Sequence, residues 1–147
     1  MKWQQRIAVA AAIGLLVAPA VLSGAAPAAQ DAPRKLISPM RGEATVEYTK
    51  PNTKVQGREV VTVIVVKNTS EKPIAGFKLE ESWIDKAGTL SGGDTYRHRT
   101  PFMPGEVITV TLRTPRNDRM SSNSYNFTHA NGTVKPTAVA KIEVPTT

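Results

Sequence analysis

Residues Glu59–Asn68 read Glu-Val-Val-Thr-Val-Ile-Val-Val-Lys-Asn, so six of these ten side chains are valine or isoleucine. β-Branched residues at this density favour an extended strand over a helix. Thr62 alone interrupts the apolar run. Because apolar residues occupy both odd and even positions, both faces of the strand are expected to be largely covered. The stretch therefore predicts a central β-strand.

Shorter runs of alternating apolar and polar residues lie on both sides of this strand. Ala44, Val46 and Tyr48 alternate with polar residues, and no segment has the three-and-four spacing of an amphipathic helix. Pro, Gly, Asn and Ser separate the runs and act as turn signals. Beyond Glu59–Asn68, strands are predicted at residues 43–49, 74–85, 95–102, 106–112, 124–129 and 138–144.

Seven short strands within residues 41–147 are typical of an all-β immunoglobulin-like sandwich of antiparallel strands. The chain has no cysteine, so no disulfide supports the domain and packing must hold it together. The predicted core consists of Phe77, Leu79, Trp83, Ile108, Val110, Leu112, Tyr125, Phe127, Ala140 and Ile142.

The first 29 residues have the order of a secretory signal peptide. Lys2 and Arg6 precede an almost wholly apolar stretch, and small residues follow it, which predicts cleavage between residues 25 and 29. The alternative is an uncleaved anchor, but Pro19 interrupts the stretch and it falls short of the roughly 20 residues that span a bilayer. The pattern predicts a secreted or periplasmic bacterial protein with a flexible leader at residues 30–40 and no transmembrane helix after processing.

The charge balance limits the classes of partner. The chain carries 19 Lys and Arg against 12 Asp and Glu, a net charge of +7, but no run of basic residues. A modest positive charge without a basic cluster does not indicate nucleic-acid binding. The expected partner is a protein or another envelope component of unknown identity.

Two of the predicted strands, 95–102 and 106–112, flank the tight turn Pro104-Gly105 and are expected to pair as a hairpin. Pairing Phe102 with Glu106 places apolar residues on one face, since a one-residue slip would move every side chain to the other face. The inward pairs are then Tyr96 with Leu112, His98 with Val110, and Thr100 with Ile108.

About 55 residues, 60–114, resemble the FxLYD family of bacterial exported domains. The matching positions are Asn68 with Ser70, Asp85 with Gly88, and the turn Pro104-Gly105-Glu106. The motif that names the family is not retained, because Glu81, Trp83 and Ile84 stand where Phe, Leu and Tyr are expected. The resemblance implies an immunoglobulin-like sandwich and implies no catalytic or ligand-binding residue.

Glu81 is the acid whose placement matters most. Strict alternation with Leu79 and Trp83 points it into the core, where an unpaired carboxylate costs several kcal/mol. One alternative is a β-bulge or a sheet-edge position that turns the acid outward, which is the favoured interpretation. The other is burial against a cation such as Lys78 or an arginine.

His98 and Met103 support a weaker hypothesis, that of a periplasmic copper-binding protein, because imidazole and thioether groups suit copper. Their spacing matches no known ligand motif. The plainer interpretation is a histidine at the rim of the core, satisfied by a neighbour. The main prediction therefore includes no metal site and no cofactor.

Arg97, Arg99 and Arg113 are expected on one outward face of the predicted hairpin. They define a possible surface for an anionic partner. The alternative is that charges on an exposed strand discourage edge-to-edge aggregation.

Catalysis is not expected. No Gly-x-Ser-x-Gly elbow, cysteine nucleophile or phosphate-binding glycine loop occurs in the sequence. Glu80 and Glu81 are adjacent on a predicted strand and point to opposite faces, which is unsuitable for shared acid–base chemistry. The sequence therefore predicts a non-catalytic interaction or accessory module with no catalytic residues.

Overall fold

The computed structural model of the chain describes residues 37–146. The predicted signal peptide, residues 1–29, and most of the predicted leader lie outside the described residues. Within residues 37–146, no helix has the length and apolar character required to cross a bilayer. All regular secondary structure in this part is β-strand, so the all-β prediction is confirmed.

The described part forms one mixed sheet that curls into a half-barrel. Its strands follow the order β2-β3-β1-β8-β7-β4-β5, and β6 pairs with the second edge of β3. The eight strands are β1 (Gly42–Thr49), β2 (Asn52–Gln56), β3 (Glu59–Asn68), β4 (Lys78–Ile84), β5 (Leu90–Arg97), β6 (Val107–Pro115), β7 (Ser122–His129) and β8 (Gly132–Val139).

Strand β3 occupies the central position that its valines predict. It pairs with β6 along one edge, while β1 and β2 share the other edge. Ile64 and Val66 are fully buried on its inner face, whereas Val63 and Val65 on the outer face are only half-buried. The β-branched run is therefore shielded more on one face than on the other.

The prediction of seven antiparallel strands is wrong in number and in direction. The sequence did not predict β2, because Pro51-Asn52 signals a turn. In the structure, Pro51 only separates β1 from β2, and both strands pair with the same edge of β3. β8 runs parallel to β1, from Gly42 opposite Gly132 to Thr49 opposite Val139. β1 therefore joins the β3 and β6 side of the sheet to the β7, β4 and β5 side, and the inner faces of the two sides meet across the core.

The predicted hairpin between residues 95–102 and 106–112 is also wrong. β5 pairs with β4, and β6 pairs with β3. The segment between them crosses the molecule, because Phe102 forms a backbone bridge with Ile74. The register that opposed Phe102 to Glu106 therefore does not form, although the Pro104-Gly105 turn does, with the Glu106 amide donating to the Met103 carbonyl at 3.0 Å.

Asn68 supplies the physical reason for this crossing. Its backbone amide donates to the Glu106 carbonyl at 3.0 Å, and its carbonyl accepts from the Gly105 amide at 2.8 Å. Its fully buried side-chain amide donates to the Phe102 carbonyl at 2.7 Å. Its side-chain oxygen also accepts from the Ser70 amide at 2.8 Å, a local side-chain-to-backbone bond that asparagine commonly makes in turns. One residue thus binds the crossing segment to the end of β3.

The apolar core lies at one end of the half-barrel and is rich in aromatic rings. Phe77 packs against Phe102 with ring centroids 5.2 Å apart, and Tyr48 packs against Phe127 at 5.0 Å. Six predicted core residues are buried: Phe77, Leu79, Val110, Leu112, Phe127 and Ile142. Trp83, Ile108 and Tyr125 are half-buried, and Ala140 is exposed because β8 ends before it.

Candidate functional site

Glu81 is buried, with only 2% of its surface exposed, and four side chains donate hydrogen bonds to its carboxylate. The Thr62 hydroxyl binds Oε1 at 2.7 Å, and the Thr114 hydroxyl binds Oε2 at 3.1 Å. The Asn123 amide and the Tyr125 hydroxyl each bind Oε1 at 3.2 Å. We call these five residues the Glu81 network.

The favoured prediction for Glu81, a bulge or a sheet edge, is wrong. β4 lies between β5 and β7 and keeps its alternation, so Leu79 and Glu81 both point inward. The register shift of β4 occurs later, between Trp83 and Ile84. The second alternative fails as well, because no cation of the described part lies within 4.0 Å of this carboxylate. Neutral hydroxyl and amide donors satisfy it instead.

The network joins strands from both sides of the curled sheet. Thr62 belongs to β3 and Thr114 to β6, whereas Glu81 lies on β4 and its cross-strand neighbour Tyr125 on β7. Thr53 of β2 extends the network, since its hydroxyl lies 3.0 Å from that of Thr62. Hydrogen bonds to each oxygen offset the free-energy cost of removing a carboxylate from water. The network therefore holds β3 and β6 to β4 and β7 at the end of the half-barrel opposite the apolar core.

Burial raises the pKa of the Tyr125 hydroxyl, and the nearby negative charge of Glu81 raises it further. The Thr53 and Thr62 hydroxyls act in the opposite direction. The phenol thus stays protonated over a wider pH range and continues to donate to Glu81. Glu81 is nearly inaccessible to solvent, and its hydrogen bonds hold strands together.

Thr62 and Thr114 were not singled out by sequence reasoning. The signal for Thr62 was present, because a single hydroxyl within a run of six valine and isoleucine residues must find a buried partner. Nothing in the sequence around Thr114 or Asn123 indicated a role, since their proximity to Glu81 depends on how the sheet curls.

A concave surface lies beside the Glu81 network. We call it the Trp83 groove; its volume is about 350 Å³. Trp83, Val60 and Met120 provide apolar surface, and so does Val55, which is 56% exposed. The indole nitrogen of Trp83 is buried and has no hydrogen-bond partner among the described residues. The remaining lining residues are Thr53, Lys54, Arg116, Asn117 and Asp118.

The loop that forms one wall of the Trp83 groove is fixed at both ends. The Arg116 amide donates to the Arg58 carbonyl at 2.8 Å, and the Ser121 amide donates to the Ile84 carbonyl at 2.9 Å. The side-chain amide of Asn117 donates to the Ser91 carbonyl at 2.8 Å. Hydrogen bonds within the protein therefore fix the position of this wall, and no ligand is required to organise it.

His98 lies at the rim of the core, as the plainer interpretation predicted, but beside Tyr96 and Phe102 rather than opposite Val110. Its Nδ1 lies 3.0 Å from the Tyr96 hydroxyl, and its Nε2 lies 3.2 Å from the Thr100 hydroxyl. Burial raises the pKa of Tyr96, and the charge of Glu106 adds to this effect.

The structure brings His98 and Met103 near one another through Glu106. One carboxylate oxygen of Glu106 lies 3.7 Å from His98 Nε2, and the other accepts from the Met103 amide at 2.6 Å. In residues 37–146, no group of three or more His, Cys, Asp or Glu side chains is arranged to hold a metal ion. A copper ion at His98 would bind one ring nitrogen and would have to displace the hydrogen bond at that nitrogen, to Tyr96 or to Thr100.

The predicted arginine surface is divided between strands that do not pair. Arg97 lies on β5 opposite Lys78 of β4, whereas Arg113 lies on β6 and forms an exposed ion pair with Glu59 at 3.1 Å. In the described part of the chain, neither Arg97 nor Arg99 has a carboxylate within 4.0 Å. The hairpin that placed all three arginines on one face is absent, so no common strand pair aligns them.

Lys78 pairs with an acid, Glu80, on the outer face of β4. It forms an ion pair with Glu80 at 2.9 Å, and this hydrogen bond lowers the pKa of the Glu80 carboxyl, with a smaller contribution in the same direction from Asn126. Glu80 therefore points outward while Glu81 points inward, as strand alternation requires.

His129 has a structural position that sequence reasoning left unassigned. Its Nε2 lies 2.8 Å from the Gly42 carbonyl, and its Nδ1 accepts from the Asn131 amide at 3.3 Å. Since a carbonyl only accepts, these contacts assign the proton to Nε2. His129 thereby ties the β7–β8 turn to the start of β1.

No protein-family model matches the chain, and no curated protein matches it. Among solved structures, IrmA from Escherichia coli is similar in fold, with 9% sequence identity and a TM-score of 0.46. The match covers 70% of this chain and 99% of the IrmA chain. The resemblance of residues 60–114 to the FxLYD family stays a prediction.

Proposed function

We propose that the chain is an exported bacterial protein whose mature part is a non-catalytic interaction or accessory module. It presents the surface of a rigid β-domain to a protein or another envelope component, and it uses no cofactor. Export is supported by the signal-peptide pattern of residues 1–29. An immunoglobulin-like relationship is part of the proposal, supported by the order β8-β7-β4-β5, whose neighbours all run antiparallel.

The use of Glu81 carries this proposal. The one acid that strand alternation directs into the core is enclosed by hydroxyl and amide donors and holds β3, β4, β6 and β7 together. His98 and His129 are likewise engaged with neighbouring side chains or backbone. Side chains that could perform chemistry therefore serve the scaffold, and an interaction surface is what the scaffold leaves exposed.

The first experiment tests export. The chain is expressed in a bacterial host with a C-terminal tag, and the mature N-terminus is determined by mass spectrometry. We expect a processed form that begins after a residue between 25 and 29 and is found outside the cytoplasm. Leu15→Arg interrupts the apolar stretch and serves as the control that retains the full-length chain. An unprocessed cytoplasmic wild type contradicts the proposal.

The second experiment tests the interaction. A photo-reactive side chain is placed in cells at one exposed position at a time, using Val55, Thr109 and Lys135 on different strands. We expect a discrete cross-linked product with an envelope component from at least one position. A module that gives no product from any of these surfaces is not an interaction module of the kind proposed.

A further inference from the structure

We propose that the Trp83 groove binds a segment of a partner protein in which an acidic side chain stands beside an apolar one. This inference rests on the proposed interaction function and specifies the binding surface and the chemistry of the partner. It follows from three features of the groove: an apolar centre, a cationic rim and a fixed wall.

The centre of the groove has the composition of an interface core. Trp83, Met120 and the exposed Val55 provide apolar surface at one concave site. Tryptophan, methionine and arginine are enriched where proteins bind one another, and aromatic anchors contribute most of the binding free energy. A leucine-sized or valine-sized side chain of a partner would bury this surface, which the chain leaves open to solvent.

The rim of the groove carries unpaired positive charge. Lys54 and Arg116 line it together with one acid, Asp118. Neither cation has a carboxylate within 4.0 Å in residues 37–146. Charge complementarity therefore selects an anionic partner, and a carboxylate is the group that arginine can hold in a bidentate arrangement.

The wall of the groove is organised before any partner arrives. Asn117 is held by Ser91, and the loop ends are held by Arg58 and Ile84. Met120 packs closely on β5, since a Cβ added at Gly92 would lie 3.1 Å from its Cε. A preformed site adds no ordering cost of its own to the cost of ordering a flexible peptide segment.

Trp83 itself provides the assay. The chain contains two tryptophans, Trp3 and Trp83, so the Trp3→Phe variant of the full chain has its only indole at the groove. A library of random short peptides is selected on this protein, and the selected peptides are resynthesised with every acidic residue either kept or replaced by its amide. Binding is measured by titration of the tryptophan emission.

Two charge-reversed proteins provide the comparison. Lys54→Glu with Arg116→Glu alters the rim of the groove, and Arg97→Glu with Arg99→Glu makes the same change of charge at a different exposed site. Each pair of residues is exposed and free of ion pairs in the described structure, so both variants should fold. Unfolding curves of both variants verify this.

We expect selected peptides to combine an acidic and an apolar residue and to shift the Trp83 emission to shorter wavelength in a saturable manner. Their amide forms should bind about tenfold more weakly, as should the Lys54 and Arg116 variant, while the Arg97 and Arg99 variant binds like the wild type. Equal binding to both charge-reversed proteins overturns the inference, as does loss only in the Arg97 and Arg99 variant. Selected peptides without acidic residues, or an emission shift with dextran sulfate and none with peptides, also overturn it.

The two proposals fail in distinguishable ways. If cross-linking in cells identifies a partner and no acidic peptide engages Trp83, the interaction function stands and this groove is not its site. If peptides bind as expected and no partner is cross-linked in cells, the chemistry of the groove stands and the interaction function fails.

Discussion

At the scale of single residues, the protein shows how an acid is kept inside an all-β core without a cation. Removing a carboxylate from water is costly, and hydrogen bonds to both oxygens offset that cost only when every donor is in place. Glu81 meets this condition because four neutral donors surround it. The donors depend on the acid in turn, since Thr62 and Thr114 are fully buried.

Replacing Glu81 with leucine should destabilise the domain. An acid turned outward, the interpretation that the sequence favoured, would make no essential contact, and its replacement would change stability little. In the structure the substitution leaves buried hydroxyl and amide groups without their acceptor, and we expect a loss of more than about 2 kcal/mol in the free energy of unfolding. Urea denaturation monitored by circular dichroism measures this loss.

Glu80→Leu is the matched control, since Glu80 is the next residue and lies on the outer face of the same strand. Its ion pair with Lys78 is partly exposed to solvent, so we expect a change below about 0.5 kcal/mol. Equal effects of the two substitutions would refute the structural role given to the Glu81 network.

Tyr125 and Tyr96 make stability depend on alkaline pH. Burial raises the pKa of both above the ordinary value of 10.0, and the charges of Glu81 and Glu106 respectively raise them further. The folded protein therefore holds the phenol protons more tightly than the unfolded chain does. This contribution to stability is complete below about pH 10 and is lost as the pH rises through the folded-state pKa values.

Thermal unfolding between neutral and strongly alkaline pH measures this effect, and the phenolate absorbance band follows the titration. We expect the decline in melting temperature above pH 10 to be shallower in Tyr125→Phe than in the wild type, because that variant has no phenol proton to lose at this position. The same slope in both proteins would contradict the assignment.

The copper hypothesis also has a test at residue scale. It predicts a saturable spectral change when copper is added to the purified protein, and His98→Ala should abolish it. Each ring nitrogen of His98 has a hydrogen-bond partner, Tyr96 or Thr100, and a metal must displace the one at the nitrogen that it binds, which opposes such binding. If copper produces no spectral change in the wild type, the hypothesis is excluded.

At the scale of elements, pairing is decided by a few polar residues at strand ends. The Pro104-Gly105 turn is compatible with a hairpin. Asn68, however, binds Phe102 before the turn and Glu106 after it, and this directs β6 to β3. β3 gains a partner along its full length in this way. The local turn signal was therefore correct, and the strand pairing inferred from it was wrong.

Asn68→Ala should destabilise the segment between β5 and β6 more than the small number of atoms removed suggests. The substitution removes the side-chain bonds to Phe102, Lys72 and Ser70 and leaves the buried Ser70 amide without its acceptor. We expect a loss of about 2–4 kcal/mol in the free energy of unfolding. Faster hydrogen exchange at the Gly105 amide, whose bond to Asn68 is adjacent, should accompany it.

The control for this prediction is Asn126→Ala. Asn126 is also an asparagine on a strand, but it is exposed and binds only Glu80, at 3.2 Å. We expect a change below about 0.5 kcal/mol. If Asn68→Ala is equally mild, the crossing is held by the β3–β6 pairing alone and not by Asn68.

At the scale of the whole molecule, one curled sheet encloses an apolar end and a polar end. The aromatic residues fill the first, and the Glu81 network fills the second. Both ends draw residues from both sides of the sheet, so neither can form until the sheet has closed on itself. Unfolding is therefore expected to be a single cooperative transition.

Leu112→Ala tests this cooperativity. Leu112 is fully buried on β6, opposite Thr62 of β3, and the truncation should cost about 2–5 kcal/mol. Because apolar and polar ends close together, denaturation followed by Trp83 emission and by circular dichroism should shift by the same amount. Separate transitions for the two signals would show that the ends unfold independently.

The sequence by itself determined the local features of this protein. The valine-rich run predicts β3, and the alternation of Phe77 and Leu79 directs both into the core. Pro104-Gly105 predicts a tight turn, which forms with the Glu106 amide bound to the Met103 carbonyl. These features depend on covalent shape, side-chain periodicity and turn chemistry, all of which act between residues close in the chain.

Only the tertiary structure decided which strands meet and which polar groups share a site. The parallel pairing of β8 with β1, the crossing held by Asn68 and the donors that enclose Glu81 all join residues distant in sequence. Such contacts depend on the curl of the sheet, since a strand pattern specifies which face of a strand is buried but not its neighbour. For the same reason Trp83, placed in the core by its periodicity, instead lines a groove that residues of β2, β3 and the loop after β6 complete.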